Sequence, residues 1–337
     1  MDERLMQYQL IYALAARNGR NETLFGSSGA AAFEAFARSL ASSAFPELWF
    51  ELPLLGEPWF DLHALTARSD LRPNMKFSPQ QTGGCPEAFE WFAAQERGVR
   101  QLALSWDTSS GNSSTPAVQL LASESDPSIT QAFLRTVGKP DAATSYLEFR
   151  KRLPQSWFPC YAGVFPQRPE HHLRVECIPN RERQRAYADD FSLLEADLRQ
   201  AGLLELGDTV VERCQALAST PFQFEFQFDV QPDGSTSPTL GASVRFAPPA
   251  KGETRESFEV DGSAGALMQR VEEWGLVDER WRDLGETTFS VRASRRGANT
   301  HLYCFPTFLK LRWRDGEPLD AKAYLMAGQR EEAAQEE

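Results

Sequence analysis

"FPTFLKLRWRDGEPLDAKAYL", residues 305–325, contains two runs of alternating side chains separated by the polar turn "RDGE". Successive side chains of a β-strand point to opposite faces, so Lys322 and Tyr324 share a face of the second run. Lys310 and Arg312 share a face of the first run. Cationic side chains gathered on one face repel each other unless that face meets bulk water or an anion. The segment therefore predicts a β-hairpin whose polar face is either solvated or binds an anion.

The same hairpin pattern occurs five times along the chain. Each segment has two alternating runs separated by a turn rich in Gly, Pro or Asp. The five segments are 48–68, 100–123, 157–179, 222–247 and roughly 287–327. Helical segments with Asp, Pro or Gly at their ends lie between them, for example the segment 126–138. Because the strands come in adjacent pairs, the pattern predicts antiparallel neighbours and not the parallel sheet of a βαβ alternation.

The two faces of these strands differ in polarity. In "FQFEFQFD", residues 222–229, phenylalanines occupy one face and Gln or acidic residues occupy the other. Helices could cover the apolar face, and closure into a barrel would remove the edges of the sheet. A polar inner face suits a barrel that encloses a ligand. We predict an α+β protein with a closed ten-stranded antiparallel barrel and helices on the outside. The alternative is an open antiparallel sheet whose polar face meets water.

Composition argues against several classes of protein. The 337 residues carry a net charge of −12, which does not favour a general nucleic-acid-binding surface. No stretch approaches the roughly eighteen uncharged apolar residues of a membrane span. The first residues do not form a signal peptide, and five widely spaced cysteines without a CxxC pair are typical of free thiols in the cytoplasm. We predict a helical extension over 1–28, one barrel domain over 29–327 and a disordered acidic tail over 328–337.

The order of the predicted elements resembles that of the ABBA prenyltransferases. The barrel of this family (the PT-barrel) has five consecutive αββα units, with ten antiparallel strands around a polar lumen. The resemblance covers roughly 29–327 of this chain. It rests on architecture and on a few residues, not on a tight motif. The resemblance implies a soluble enzyme that attaches isoprenoid chains to aromatic, indole or peptide acceptors.

The resemblance also implies roles for individual residues. In the indole branch, a glutamate on the first strand hydrogen-bonds the N–H group of the acceptor, and Glu51 in "WFELP" matches it. Later strands bear Arg or Lys two residues from Tyr to hold the diphosphate, and "AKAYL", with Lys322 and Tyr324, is the best match. In a smaller branch, an aspartate on the second strand helps to bind Mg²⁺, and Asp61 in "FDLHA" is similarly placed. The implied cofactor is therefore either none or Mg²⁺.

Three strands depart from the pattern of the family. The fourth strand has Gln119 where a lysine is usual, and the eighth has Arg245 without a tyrosine partner. The sixth has Arg174 followed by Glu176 instead of a basic residue and a tyrosine. These departures keep open the alternative of a barrel without catalysis.

Ionisation of an allylic diphosphate needs preorganised cations and donors in a water-poor site. Arginine grips phosphate oxygens bidentately, whereas lysine acts as a compact point charge. Alternation turns the following candidate diphosphate ligands inward: Arg174, Arg245, Lys310, Arg312, Lys322 and Tyr324. Arg314, next to the turn, is expected to face solvent. A bound anion would offset the repulsion among these cations.

The allylic cation that remains after ionisation needs aromatic faces and protection from water. Candidate walls, each of which could instead be ordinary core, are Trp49, Trp59, Tyr161 and Phe308. Glu51 would accept the proton of the acceptor, or would be a carboxylate at the rim of the barrel. Weaker candidates for the polar face are Glu225, Asp229 and His63.

The resemblance and the residues that carry it therefore predict a prenyltransferase. It would move an isoprenoid chain from an allylic diphosphate to an indole, a phenol or a peptide side chain. The alternative from another class is a barrel that binds a peptide or a small anionic ligand without chemistry. A ring-forming clamp of αββα repeats ranks last. The helices of such a clamp would need a basic inner surface, whereas the helical segments of this chain are mixed or acidic. The expected partners are the donor and the acceptor, and neither nucleic acid nor a membrane is expected.

Overall fold

The computed structural model of the chain describes residues 3–40, 45–71, 82, 84–95, 97–108, 116–122, 126–166, 173–246, 258–259, 261–295 and 298–332. In these ranges no helix is long and apolar enough to cross a membrane. All five cysteines are free thiols, and three of them are buried.

Eleven strands are present in the described residues, and ten of them form a closed barrel. The strands are β1 (Glu47–Pro53), β2 (Asp61–Ala67), β3 (Val99–Trp106), β4 (Ala117–Ala122), β5 (Trp157–Val164), β6 (Leu173–Pro179), β7 (Gln223–Val230), β8 (Thr236–Arg245), β9 (Phe289–Arg295), β10 (Ala298–Arg314) and β11 (Glu317–Glu332). Strands β1 to β8 follow one another around the ring, then β10 and β11, and every pairing is antiparallel. The ring closes because β11 pairs with both β10 and β1. The predicted closed ten-stranded antiparallel barrel is confirmed, and the open sheet is excluded.

Helices precede the hairpins of the barrel along the chain. They are α1 (Glu3–Ala15), α2 (Gly29–Leu40), α3 (Pro86–Ala94), α4 (Pro127–Thr136), α5 (Pro140–Arg152), α6 (Arg181–Asp189), α7 (Phe191–Gln200), α8 (Asp208–Ala218) and α9 (Ser263–Glu273). Helix α4 begins as the sequence predicts, because the side chain of Asp126 accepts a hydrogen bond from the Ser128 N–H and Pro127 occupies the first turn.

The hydrophobic core lies between the outer face of the barrel and the helices. Phe224, Phe226 and Phe228 of β7 are fully buried on that face. Phe149 of α5 contacts Phe228 with ring centroids 5.3 Å apart. On the other side of the barrel, several aromatic rings of α1, α2 and β1 pack together in the same way. Full burial of such a side chain contributes roughly 1.5–3 kcal/mol, so this layer holds the helices on the strands.

The C-terminal part of the chain differs from the sequence prediction in two ways. Strand β9 was not predicted, and it pairs with the first half of β10 while β8 pairs with the second half. Strand β11 continues to Glu332, so residues 328–332 of the predicted tail belong to a strand. The long β10–β11 ladder explains this, because Glu332 pairs with Asn299. The rest of the predicted tail, residues 333–337, lies outside the described residues.

Candidate functional site

The lumen of the barrel contains a cavity of about 190 Å³. Eleven of the twelve site residues predicted from the sequence line it: Trp49, Glu51, Asp61, Tyr161, Arg174, Arg245, Phe308, Lys310, Arg312, Lys322 and Tyr324. The exception is Trp59, whose ring nevertheless lies 4.9 Å from the Lys322 ammonium. The cavity is smaller than the roughly 300–1,000 Å³ of pockets for drug-sized ligands. A long ligand therefore requires side chains to move.

Three of the predicted cations already have close carboxylate partners on neighbouring strands. Arg174 pairs bidentately with Asp229, at 2.7 and 3.2 Å. Arg312 pairs in the same way with Asp320, its Nε lying 2.8 Å from Oδ1. In each pair the two residues lie directly opposite each other in the ladder. Protein carboxylates thus offset the repulsion for which the sequence suggested a bound anion.

Lys322 is the third balanced cation. Its Nζ lies 2.8 Å from Oε1 of Glu51 and 3.4 Å from Oδ2 of Asp61. The sequence made Lys322 the best match to a diphosphate ligand, whereas the structure places it between two acidic side chains. An added anion would have to compete with both of them.

Lys310 and Arg245 are less well balanced. The Lys310 ammonium is 3.8 Å from Oε1 of Glu176 and 3.3 Å from the Tyr324 hydroxyl. Burial is the main reason why the pKa of Lys310 falls to about 8. The guanidinium of Arg245 lies over the Phe308 ring, 4.9 Å from its centroid, and forms no ion pair with any described residue. Among the predicted diphosphate ligands, Lys310 and Arg245 are therefore the cations with the least compensation of their charge.

Glu225 faces the same part of the cavity and is buried. Burial, followed by the nearby charge of Glu176, raises the pKa of Glu225 to about 8, although Arg245 acts in the opposite direction. Glu225 is therefore mostly protonated at neutral pH. A protonated carboxyl group leaves the charge of Arg245 uncompensated.

The pH dependence of stability tests this protonation state. The Glu225 carboxyl ionises near its usual pKa of 4.5 in the unfolded chain but near 8 in the folded protein. The folded state therefore binds more protons between these values, and its free energy of unfolding falls as the pH rises through them. As the pH rises from 5 to 8, the free energy of unfolding of wild type should fall by about 3 kcal/mol more than that of Glu225→Gln, as measured by denaturant unfolding. A plot of the free energy of unfolding against pH should be parallel for wild type and for the exposed Glu34→Gln variant. If the plot for Glu225→Gln were also parallel to that of wild type, the protonated state of Glu225 would be contradicted.

Glu51 is the centre of a hydrogen-bonded group. Its Oε2 accepts a hydrogen bond from Nε2 of His63 at 2.9 Å. Burial alone would raise the pKa of Glu51, but the charge of Lys322, the His63 hydrogen bond and the charge of Lys310 together lower it well below its usual value. Glu51 is thus an ionised carboxylate that is a weak proton acceptor and a strong hydrogen-bond acceptor.

The hydrogen-bonded chain continues from Glu51 across β2, β3 and β4. Nδ1 of His63 lies 2.5 Å from the Ser105 hydroxyl, and the Gln119 amide donates to the same hydroxyl. Sequence reasoning rated His63 as a minor candidate and missed Ser105. The alternation of β3 places Ser105 on the inner face, but only the register of β2 and β3 brings it opposite His63.

Aromatic side chains form one wall of the cavity. The rings of Trp49, Phe308 and Tyr324 contact one another, with centroids 5.4 to 6.4 Å apart. Tyr161 lies across the lumen on β5, where the absence of a side chain at Gly163 makes room for it, because a Cβ there would lie 2.5 Å from the Tyr161 hydroxyl. The lumen thus offers aromatic faces next to the cations Lys310 and Arg245 and next to the Glu51 carboxylate.

The acidic residues of the lumen do not fit a resident Mg²⁺ ion. Oδ1 of Asp61 accepts a hydrogen bond from the Thr108 N–H at 2.8 Å, and Oδ2 faces the Lys322 ammonium. Burial raises the pKa of Asp61 to about 7, which weakens it as a ligand. Over the described ranges, no group of three or more His, Cys, Asp or Glu side chains is arranged to hold a metal ion. We derive no step of the chemistry through a metal bound by Asp61.

The chain was compared with known proteins by sequence. No protein-family model matches it, and no curated protein is significantly similar to it.

Proposed function

We propose that the chain is a prenyltransferase that moves an isoprenoid chain from an allylic diphosphate to an aromatic small molecule or a peptide side chain. One observation carries the proposal. Two undercompensated cations, Lys310 and Arg245, line the same cavity as the ionised Glu51, and the Tyr324 hydroxyl contacts both Lys310 and Glu51. This arrangement suits an anionic leaving group on one side and a hydrogen-bonded acceptor on the other.

The chemistry follows from this arrangement. Lys310 and Arg245 would neutralise the diphosphate as the allylic C–O bond breaks and its electron pair moves to the phosphate oxygen. The faces of Trp49, Phe308 and Tyr324 would stabilise the allylic cation, and the enclosed lumen would keep water from it. On the acceptor side, Glu51 would supply the negative charge toward which the X–H group of the acceptor is oriented while the new bond forms.

The proposal includes the architecture of the ABBA family. The described helices group as α1 and α2, α3, α4 and α5, α6 to α8, and α9, each group preceding one hairpin of the ring. This grouping supports five αββα units. The five free thiols fit a reducing compartment, so we also propose a cytoplasmic location.

A second candidate is a barrel that binds a peptide or a small anionic ligand without chemistry. The observation that favours it is the neutralisation of Lys322, Arg174 and Arg312 by protein carboxylates. With these three cations neutralised, the lumen stabilises a departing diphosphate less, as expected of a barrel that only binds its ligand. The small volume of the cavity points in the same direction.

Titration calorimetry and mass spectrometry separate the two candidates. The protein is titrated with dimethylallyl diphosphate and with inorganic diphosphate, in Mg²⁺ and in EDTA. It is then incubated with dimethylallyl diphosphate and a set of indoles, phenols and aromatic peptides. Binding followed by the mass gain of one isoprene unit on an acceptor supports the enzyme. Binding without product favours the second candidate, and the absence of diphosphate binding contradicts the proposed enzyme.

A further inference from the structure

The hydrogen-bonded chain from Gln119 to Glu51 crosses four neighbouring strands of the barrel. His63 lies directly opposite Ser105 in the β2–β3 ladder. Gln119 lies opposite Ala103, which is the inward-facing residue of β3 next to Ser105. Ser105 and Gln119 are only 7 % and 4 % exposed. Both line the cavity, as does His63. The chain is therefore a largely buried polar network that faces the cavity available to a ligand.

The ionised Glu51 fixes the direction of the hydrogen bonds at His63. Its Oε2 can only accept, so Nε2 of His63, at 2.9 Å, carries a proton. In a neutral imidazole Nδ1 is then unprotonated, and the Ser105 hydroxyl donates to it at 2.5 Å. The Gln119 amide nitrogen can only donate, so the Ser105 oxygen accepts from it.

The charges around the network suit it to receive a proton. The Lys322 ammonium keeps Glu51 ionised, so Glu51 does not itself take a proton at neutral pH. A proton taken up at Nδ1 of His63 leaves the hydrogen bond from Nε2–H to Glu51 in place. The imidazole of His63 is thus the proton acceptor of the network, and the Ser105 hydroxyl is its contact with the cavity.

We propose that Ser105, His63 and Glu51 act as one proton-accepting site for the acceptor substrate. This inference rests on the proposed function. As the acceptor attacks the allylic carbon, its X–H proton passes to the Ser105 oxygen, and the Ser105 proton passes to Nδ1 of His63. The C–O bond to the diphosphate breaks, and the diphosphate leaves with the electron pair. His63 ends as an imidazolium paired with Glu51, and it later returns its proton to solvent or to the released diphosphate.

The first test needs no substrate. The protein is labelled with ¹⁵N-histidine, and the four histidines are assigned by substitution. His63 should be the Nε2–H tautomer, and Ser105→Ala should shift its Nδ1 resonance. His301 provides the matched control, because its Nε2 pairs with Ser290 at 2.6 Å away from the cavity. An Nδ1–H tautomer at His63, or no response to Ser105→Ala, would overturn the proposal.

The second test uses the acceptor and donor that give the most product. His63→Gln should lower kcat for transfer about 100-fold or more, while the KM for the acceptor changes less than about threefold. The affinity for the diphosphate donor should persist, because Lys310 and Arg245 are unchanged. Imidazole added to His63→Gly should restore part of the transfer. Ser290→Ala and His301→Gln should behave as wild type, and unchanged kcat in His63→Gln would overturn the proposal.

The two tests separate this inference from the function on which it rests. If wild type releases no diphosphate with any acceptor, the proposed prenyl transfer is wrong, and the NMR experiment still decides the proton-accepting arrangement. If wild type transfers the prenyl group but His63→Gln transfers it equally fast, only the inference fails.

Discussion

Lys310→Met should weaken the binding of inorganic diphosphate and of dimethylallyl diphosphate by about 10- to 100-fold. A hydrogen bond to a charged group contributes about 1.5–3 kcal/mol, and each 1.4 kcal/mol is a factor of ten in affinity. Lys310 is the lumen lysine without a close carboxylate, its nearest being Glu176 at 3.8 Å. An anion therefore competes at Lys310 with a longer carboxylate contact than at Lys322, where Glu51 lies at 2.8 Å. Titration calorimetry at constant ionic strength measures the change.

Lys310→Met should be about as stable as wild type although its affinity for diphosphate is lower. At pH 7 the folded protein holds the Lys310 ammonium in a buried position that lowers its pKa to about 8, which costs stability because the unfolded chain holds the same charge in water. Replacing it with Met removes that cost, so the midpoint of thermal unfolding should stay within a few degrees of wild type. Arg314→Met on the same strand is the control, since Arg314 is exposed and should leave both quantities unchanged. Equal affinities of Lys310→Met and wild type would contradict the anion site.

The inner face of the barrel could be predicted from the sequence because side-chain direction is a local property. Alternation along 222–229 correctly assigned Phe224 and Phe226 to the outer face and Glu225 and Gln227 to the lumen. The five paired runs correctly gave ten antiparallel strands, and closure followed from the need to remove two sheet edges.

The partners of each inward side chain could not be predicted, because they depend on register. Arg174 pairs with Asp229 across 55 residues of sequence, and Ser105 meets His63 across 42. A shift of one residue in either ladder would turn every partner to the other face. The sequence therefore predicted the cations of the lumen but not the carboxylates that neutralise them. It favoured Lys322 as the diphosphate ligand, whereas the structure leaves the charge of Lys310 less well compensated.

Arg174→Met should reduce the free energy of unfolding by about 3–5 kcal/mol, the usual cost of removing one partner from a buried ion pair. The side chains of Arg174 and Asp229 are 6 % and 3 % exposed and share two hydrogen bonds. The variant leaves the Asp229 carboxylate in the lumen without its guanidinium. Urea unfolding measures the loss, and Arg38→Met is the control, because the exposed Arg38–Glu34 pair should contribute at most about 1 kcal/mol.

The double variant Arg174→Met/Asp229→Leu should recover most of this loss, because apolar side chains of similar size often replace a buried ion pair at little cost. A loss below about 1 kcal/mol in Arg174→Met, or no recovery in the double variant, would contradict the assignment of the pair as structural. The recovered double variant also separates structure from binding at Arg174. If it binds diphosphate as wild type does, Arg174 positions the strands and the anion site is confined to Lys310 and Arg245. If the double variant is stable but has lost affinity for diphosphate, then Arg174 of β6 also belongs to the anion site in wild type. The bound anion would then compete with Asp229 for the Arg174 guanidinium.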